Sequence, residues 1–356
     1  MTTVVAPGRV NLMGDHTDYN DGFVLPLAIQ LGCTVRVSAP TADGVIIASS
    51  HQLDGEVVVA TDGSVEPPTV EPAWGRFVAG VVRALTERGI SVAPVDLDVD
   101  TTVPVGSGLS SSSALTVALT LALGATTLDD GGLDRVEAAR AASAAETAAS
   151  SVPGGLMDQL ASLFGRAGHA LLIDCRTTTV TPVAIPASVA VLVVHCGVPR
   201  TLVGSEYAAR RGECEAVAAS LGLDALRDAT AEQVRDSPRA RHVVAENARV
   251  LATADALPRG DLSILGPLLL ASHASLRDDF GVSTPELDTL VDVLVTSGAA
   301  GARLTGAGFG GCVVALAQRN HADDVLAKAT LRYRAATGIE PTSFVARAVD
   351  GARVSD

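Results

Sequence analysis

The sequence predicts a mixed α/β (α+β) fold in two domains. Three observations carry this. At 356 residues the chain is long enough for two domains of ordinary size, each with its own core. Its first half alternates β-branched runs with helical stretches, whereas from about residue 200 onward Ala-rich helices dominate and strands become few. Hydrophobic residues make up 47% and charged residues 19%, a globular balance, and with aromatics at 3% the core is left to Ala, Val and Leu. The change of composition falls near 170–200, and we expect the domains to span 1–175 and 176–356.

The elements follow from local pattern. Val4-Val5-Ala6 reads as a short strand running into a polar loop, Pro7 to Gly22. Strands are expected at 33–38, 45–49 and 56–60, separated by Gly/Asp turns. A helix over 73–88 places Trp74, Phe77 and Val81 on one face and stops before Gly89. Trp74 reads as a core residue in preference to one flanking a nucleobase. Alternation from Val95 to Val99 predicts a strand that delivers the chain to a Gly/Ser loop, and the apolar run Ala114–Leu123 predicts a buried helix. A helix from about 131 to 150 carries Glu137 and Glu146; Pro153-Gly154-Gly155 breaks it, and a second helix opens at Leu156. Strands near 169–174 and 189–195 follow, then helices at 204–221, 230–256, 260–278 and 284–297. Arg303 to Cys312 reads as a glycine-rich turn before a strand at 312–318. A helix at 321–336 and a strand at 343–347 close the pattern.

Charge and cysteine usage exclude several classes. A net charge of −14 argues against a general binder of nucleic acid or anionic membrane, though not against a nucleotide site built from a few local donors. The five cysteines (Cys33, Cys175, Cys196, Cys214, Cys312) are scattered and contain no C-x-x-C pair, which points to a reducing cytoplasm without structural zinc. No basic n-region with an apolar h-region opens the sequence, so no secretory leader is expected, and the 113–123 run is too short to span a bilayer. A cytoplasmic monomer acting on small molecules, with no protein, nucleic-acid or membrane partner, is the expectation.

Three stretches carry chemistry. Gly106-Ser107-Gly108-Leu109-Ser110-Ser111-Ser112-Ser113 leads into a buried helix. Helix N-termini present unpaired N–H groups and partial positive charge, glycines admit a phosphate to the backbone, and serines add donors or a metal ligand. The stretch is a phosphate cradle or a plain turn and N-cap; it is not a Walker loop, because no Lys follows the last glycine at that spacing. The loop holding Arg9, Asp15, His16 and Asp18 is dense in charge and broken by glycines. It reads as a solvated turn, a metal site or a sugar site, where carboxylates take hydrogen bonds from paired hydroxyls. Asp158 sits just past a Gly-Gly turn in the first turn of an apolar helix, either as a dipole-favoured acid or as a catalytic carboxylate.

Taken together, these motifs resemble those of the GHMP small-molecule kinases. Gly8 to Asn20 is similar to the galactokinase signature G-R-V-N-L-I-G-E-H-x-D-Y; Pro104–Ala114 resembles the P-x-x-x-G-L-S-S-S-A nucleotide loop. Leu304–Cys312 resembles G-G-G-F-G-G, Gly154–Gln159 resembles C-G-I-M-D-Q, and Ser205-Glu206-Tyr207 resembles S-E-Y. The resemblance implies a ribosomal-protein-S5-like N-terminal domain, a ferredoxin-like C-terminal domain, and phosphorylation by ATP of the anomeric hydroxyl of α-D-galactose. It also implies roles. Asp158 and Arg9 would be catalytic. Asp15, His16, Asp18, Gly155 and Tyr207 would line the sugar pocket, Gly106–Ser113 would take the nucleotide, and Ser112 with Glu146 would hold Mg²⁺. The departures are Gly154 for Cys, Ser113 for Ala, and Asp15 for the Glu that reaches the sugar's C6 hydroxyl. A carboxylate one methylene shorter falls about an ångström short, which raises L-arabinose or N-acetylgalactosamine as alternative substrates. A non-catalytic sugar and ATP sensor is a third reading, opposed by the intact Ser110–Ala114, Asp158 and Arg9.

Overall fold

A computed structural model describes residues 2–40, 44–104, 106–124, 134–198 and 203–355. The opening strand is longer than expected. β1 spans Thr2–Asn11 and pairs antiparallel with β3, Pro26–Pro40. Pro7 and Gly8 were expected to end it, but the register shifts between Pro7 and Arg9, and a bulge accommodates a residue without an N–H. The strand therefore delivers Arg9 and Asn11 from a rigid sheet. A short β2, Phe23–Val24, lies between them in sequence.

β4 (Val45–Ser49), β5 (Val57–Ala60) and β6 (Val95–Thr101) complete the first sheet, with α1, Gly75–Thr86, between β5 and β6. α2 (Ser111–Gly124), α3 (Arg135–Ser150) and α4 (Met157–Phe164) follow. Asp134 caps α3 by accepting from the N–H groups of Val136 and Glu137 at 2.8 and 2.9 Å, which sets its start; the expected residues 131–133 lie outside the described residues. α2 and α4 pack on β1 and β3, and α1 and α3 pack against each other beside α2. α2 is buried from Ser113 to Leu121, as its apolar run predicts.

β7 (His169–Asp174) and β8 (Thr179–Ala184) form a small sheet with β2. The second large sheet contains β9 (Val189–His195), β10 (Gly301–Thr305), β11 (Cys312–Gln318) and β12 (Thr342–Ala346), in the order β10-β11-β9-β12. That order, with all pairs antiparallel, is the ferredoxin-like arrangement. Arg303–Thr305 was expected as the opening of a glycine-rich turn, but it is the end of β10. The strand is fully buried because it is the outer partner of β11, and the turn proper starts at Gly306.

Between β9 and β10 run α5 (Val203–Ser220), α6 (Pro238–Ala256), α7 (Leu262–Ser275) and α8 (Pro285–Thr296). α6 starts eight residues later than expected because Pro238 occupies its first turn, where a missing N–H costs nothing. α7 passes into a π-turn, Leu276–Phe280. α9, Ala322–Thr337, packs on the second sheet, and β13, Arg353–Ser355, returns to pair with β1. The first sheet thus reads β13-β1-β3-β6-β4-β5.

Three cores hold the molecule. One lies under the first sheet, one under α5–α9, and a third joins Val10, Leu12, Met13 and Leu25 to Val191, Val193, Val314 and Leu265. The third core fastens the end of β1 to the second sheet and fixes the junction where the polar loop turns. All five cysteines are free, and among the described residues no helix is long and apolar enough to cross a membrane.

Candidate active site

The loop after β1 is closed by its own polar side chains. Thr17 donates from Oγ1 to the carbonyls of Gly14 and Phe23 at 2.9 and 2.7 Å, and Asn20 Nδ2 donates to the carbonyl of His16 at 2.9 Å. His16 is held at a φ of 65° with its ring stacked on Phe280, centroids 4.4 Å apart. Its Nδ1 pairs with the Tyr19 hydroxyl at 2.9 Å, and the Tyr207 ring lies 5.8 Å away. Burial holds the imidazole neutral, its pKa lowered to about 3.

Arg9 and Asp158 form a two-pronged ion pair. Nε meets Oδ1 and Nη2 meets Oδ2, both at 2.7 Å, while Nη1 donates to the Gly108 carbonyl at 2.7 Å. The Ser110 hydroxyl donates to Asp158 Oδ2 as well. The first turn of α4 supplies Asp158, as the Gly-Gly break predicts, and the bulged end of β1 supplies Arg9. Burial alone would lower the Arg9 pKa; the carboxylates of Asp158, Asp15 and Asp18 outweigh it and raise it.

Glu146, near the end of α3, is held by neutral donors. Ser112 Oγ reaches Oε1 at 2.5 Å, and Ser113 Oγ and Gln159 Nε2 reach Oε2 at 2.8 and 2.7 Å. Burial, with the nearby charge of Asp158, raises its pKa. Two oxygen side chains and no cation make a partial ligand set, and among the described residues no cluster of three His, Cys, Asp or Glu completes one. That suits Mg²⁺, which takes one or two carboxylate or hydroxyl oxygens and fills the rest with phosphate and water.

Asp18 stands against Gly155. A Cβ on Gly155 would lie 2.0 Å from Asp18 Oδ2, so only glycine leaves room for this carboxylate, whereas a Cβ on Gly154 would meet nothing within 4 Å. Burial first, then the charge of Asp158, raises the Asp18 pKa to about 6.

Asp15 is more constrained than its motif suggests. Its Oδ1 accepts from Asn11 Nδ2 at 3.2 Å and from the Gly306 N–H at 3.0 Å, and Oδ2 accepts from Arg303, a fully buried side chain on β10.

These groups share one cleft of 650 Å³. Arg9, Asp15, His16, Asp18, Gly106, Gly108, Ser110–Ser113, Glu146, Gly155, Asp158 and Tyr207 all border it. Ser107 and Leu109 do not. The Ser107 hydroxyl turns back to the Pro104 carbonyl at 2.7 Å, and Leu109 points into the third core while its carbonyl accepts from the Arg9 N–H at 3.1 Å. Both shape the loop instead of facing the cleft. Trp74 is in the core as expected, 9% exposed with Nε1 donating to the Asp54 carbonyl at 3.0 Å, yet it also forms an apolar cleft wall with Leu53, Phe77 and Leu115. Gln159, Gly306 and Ala307 border the cleft and had no role assigned from sequence, although all three stand in motifs noted there. Arg303 was noted only as the start of a glycine-rich stretch; nothing in a sequence marks an arginine that will be wholly buried.

This assembly is that of a small-molecule kinase of the GHMP class. Residues 76–166 match the GHMP kinase N-terminal domain and 253–335 the C-terminal domain, and residues 2–39 match the galactokinase galactose-binding signature. The chain is similar to the Lactococcus lactis galactokinase complexed with galactose, at 30% identity and a TM-score of 0.90, over 99% of this chain and 94% of that one. It shares only the fold with Methanococcus jannaschii mevalonate kinase, at 18% identity, TM-score 0.69 and 98% coverage of both chains. The same holds for a D-glycero-D-manno-heptose 1-phosphate kinase from Bacteriodes thetaiotaomicron, at 16% identity, TM-score 0.64, and 100% and 99% coverage. The chain belongs to the galactokinase family.

Proposed function

We propose that this protein transfers the γ-phosphoryl group of ATP to the anomeric C1 hydroxyl of α-D-galactose, giving galactose 1-phosphate and ADP. The observation that carries the reading is the convergence of the Arg9–Asp158 pair, the Ser112–Glu146 pair and the Asp18–Gly155 contact in one cleft, within a chain that matches the galactose-binding signature.

Asp158 Oδ2 accepts from Arg9, Ser110 and, at 3.5 Å, Ser113, whereas Oδ1 accepts from Arg9 alone, leaving a position there for a hydroxyl. That site orients the C1 hydroxyl and receives its proton as the oxygen bonds to phosphorus. Arg9 offsets negative charge at the transferring group, which is where most of the catalysis of phosphoryl transfer lies. Asp18, His16 and Tyr207, with Gly155 giving clearance, form the sugar side; Gly106, Gly108, Ser110–Ser113 and the wall of Trp74 and Phe77 form the nucleotide side, with Ser107 and Leu109 shaping the loop behind them. Ser112 and Glu146 would hold Mg²⁺, which neutralises phosphate charge when bound. The two halves divide at 175/176, with 353–355 returning to the first sheet, and the protein acts as a cytoplasmic monomer. A second reading, a kinase for a sugar without the hydroxymethyl group such as L-arabinose, draws on Asp15, short and held back by three donors.

ADP release measured with Mg²⁺ across galactose, L-arabinose, 2-deoxygalactose, N-acetylgalactosamine, glucose and mevalonate tests the proposal. Selective turnover of galactose is expected. Preference for arabinose would move the substrate and keep the chemistry. Sugar binding without any turnover would overturn it in favour of a sensor.

A further inference from the structure

The glycine-rich stretch after β10 contributes more than a turn. Arg303 is fully buried and spans the gap between the second sheet and the sugar loop. Its Nη1 donates to the carbonyls of Asn11 and Leu12 at 3.4 and 3.0 Å, and its Nη2 donates to Asp15 Oδ2. Behind it lies Glu246, also fully buried, 3.8 Å from Nη2, which accepts from the Gly14 N–H at 3.0 Å, Ser272 at 2.7 Å and Arg249 at 2.6 Å. A ladder of alternating charge, Arg249–Glu246–Arg303–Asp15, therefore runs from α6 through β10 to the cleft wall. Although burial works against the Glu246 anion, Arg303, His242 and Arg249 bring its pKa down to about 2, so the carboxylate at the centre of the ladder is ionised.

The ladder ends at a carboxylate with a single opening. An ionised carboxylate offers about four acceptor positions. Asn11 and Gly306 fill those on Oδ1, and Arg303 fills one on Oδ2. Asp15 is 2% exposed yet borders the cleft, so whatever it accepts must come from the cleft side. We infer that Arg303 is a positioning residue for sugar selectivity: it fixes Asp15 so that its one open acceptor position reads one particular hydroxyl of the substrate. A lysine could not do this, since one ammonium cannot reproduce the guanidinium fork across a carboxylate and two carbonyls. The inference rests on the sugar-kinase reading and adds which side chain sets the pocket's discrimination.

The test pairs substrate and protein changes. Arg303→Lys and the unaltered protein are assayed with galactose and its 2-, 3-, 4- and 6-deoxy analogues. For galactose and all but one analogue, Arg303→Lys should raise KM about tenfold or more and change kcat much less. For one analogue, the one lacking the hydroxyl that Asp15 reads, the substitution should change KM by less than about threefold, because the interaction it spoils is already missing. Arg249→Met breaks the far end of the ladder without touching Asp15 and should lower Tm while leaving the analogue pattern unchanged. Should Arg303→Lys fail to fold, Asn11→Ala removes a neutral donor from Asp15, leaves no buried charge unpaired, and should give the same single-analogue pattern at smaller amplitude. Uniform loss across all analogues, or no loss with any, overturns the assignment of Arg303 alone. Absence of sugar turnover by the unaltered protein overturns the functional reading, and this assignment with it.

Discussion

Replacing Gly155 by alanine tests the sugar side with the least disturbance elsewhere. The backbone at Gly155 is not left-handed, so alanine meets no conformational strain there. The whole effect comes from one methyl group, which would sit 2.0 Å from Asp18 Oδ2 and 2.5 Å from Cγ. Ordinary contact begins near 3.4 Å, so the Asp18 carboxylate must withdraw by more than an ångström. A shift of that size breaks hydrogen bonds to sugar hydroxyls outright. Bonds to a charged acceptor contribute about 1.5–3 kcal/mol each, so losing two weakens sugar binding by roughly 10²–10⁴-fold. Steady-state kinetics with galactose varied at saturating ATP should show this as a rise in KM, with the ATP KM little changed. The neighbouring Gly154→Ala is the control, since its Cβ would enter open space. A thermal melt confirms that both variants fold. A galactose KM within about threefold of the original in Gly155→Ala, or an equal rise in Gly154→Ala, would refute the placement of Asp18 against the sugar.

Asp158→Asn should lower kcat by about 10²–10⁴-fold with little change in sugar KM, and single-turnover kinetics separate the two; unchanged kcat would remove Asp158 from the chemistry. Arg9→Ala should cost as much activity and also lower stability by about 3–5 kcal/mol, because it leaves the largely buried Asp158 carboxylate unpaired; urea melts read this directly. Glu146→Gln should weaken Mn²⁺ binding in the presence of ATP at least tenfold by EPR, independent of turnover; undiminished binding would place the metal elsewhere. Asp18 must be ionised to accept two hydroxyls, so with its pKa near 6 the galactose kcat/KM should rise from pH 5 to 7 and level off. Asp18→Asn should have low and pH-independent activity over that range, and a flat profile in the unaltered protein would contradict the raised pKa.

Much of the site was legible because its residues announce themselves by type and spacing. Charged groups between glycines in a sequence otherwise built of Ala, Val and Leu have few structural uses, and Asp158 after Gly154-Gly155 could only fall in the first turn of a helix. Helices and strands with clean period, such as His169–Asp174, Val189–His195 and Cys312–Gln318, lie where alternation and apolar runs place them. The failures share a cause. Pro7 and Gly8 look like strand breakers, and only a partner strand that tolerates a bulge keeps them in β1. Gly301–Thr305 has no strand pattern until β11 lies beside it, and an arginine inside a strand reads as an exposed position. Arg303 is buried because Asp15 and the carbonyls of Asn11 and Leu12 stand nearly three hundred residues away in sequence, close only in the fold.

The four carboxylates of the cleft divide into two kinds, and the division matches their proposed work. Asp158 and Asp15 are each met by an arginine, Arg9 and Arg303, and each keeps one acceptor position for a hydroxyl. Their charge is already compensated, so they serve as fixed points for orientation. Among the described residues Asp18 and Glu146 form no ion pair with a cationic side chain. Asp18 lies against a glycine and Glu146 is held by two serines and a glutamine. Both have raised pKa values, the mark of a buried anion whose environment under-compensates it. For Asp18 the folded state binds a proton more tightly than the unfolded chain does, so its contribution to stability falls as pH rises from 3.8 to about 6. A protein that tolerates two such groups in one cleft is destabilised in the free form and gains when the right chemistry arrives. Under the proposed function a cation would meet the deficit at Glu146 and hydroxyl donors that at Asp18. In the proposed reaction a magnesium-bound nucleotide and a sugar would bring those two things to the cleft that Arg9 and Asp158 share.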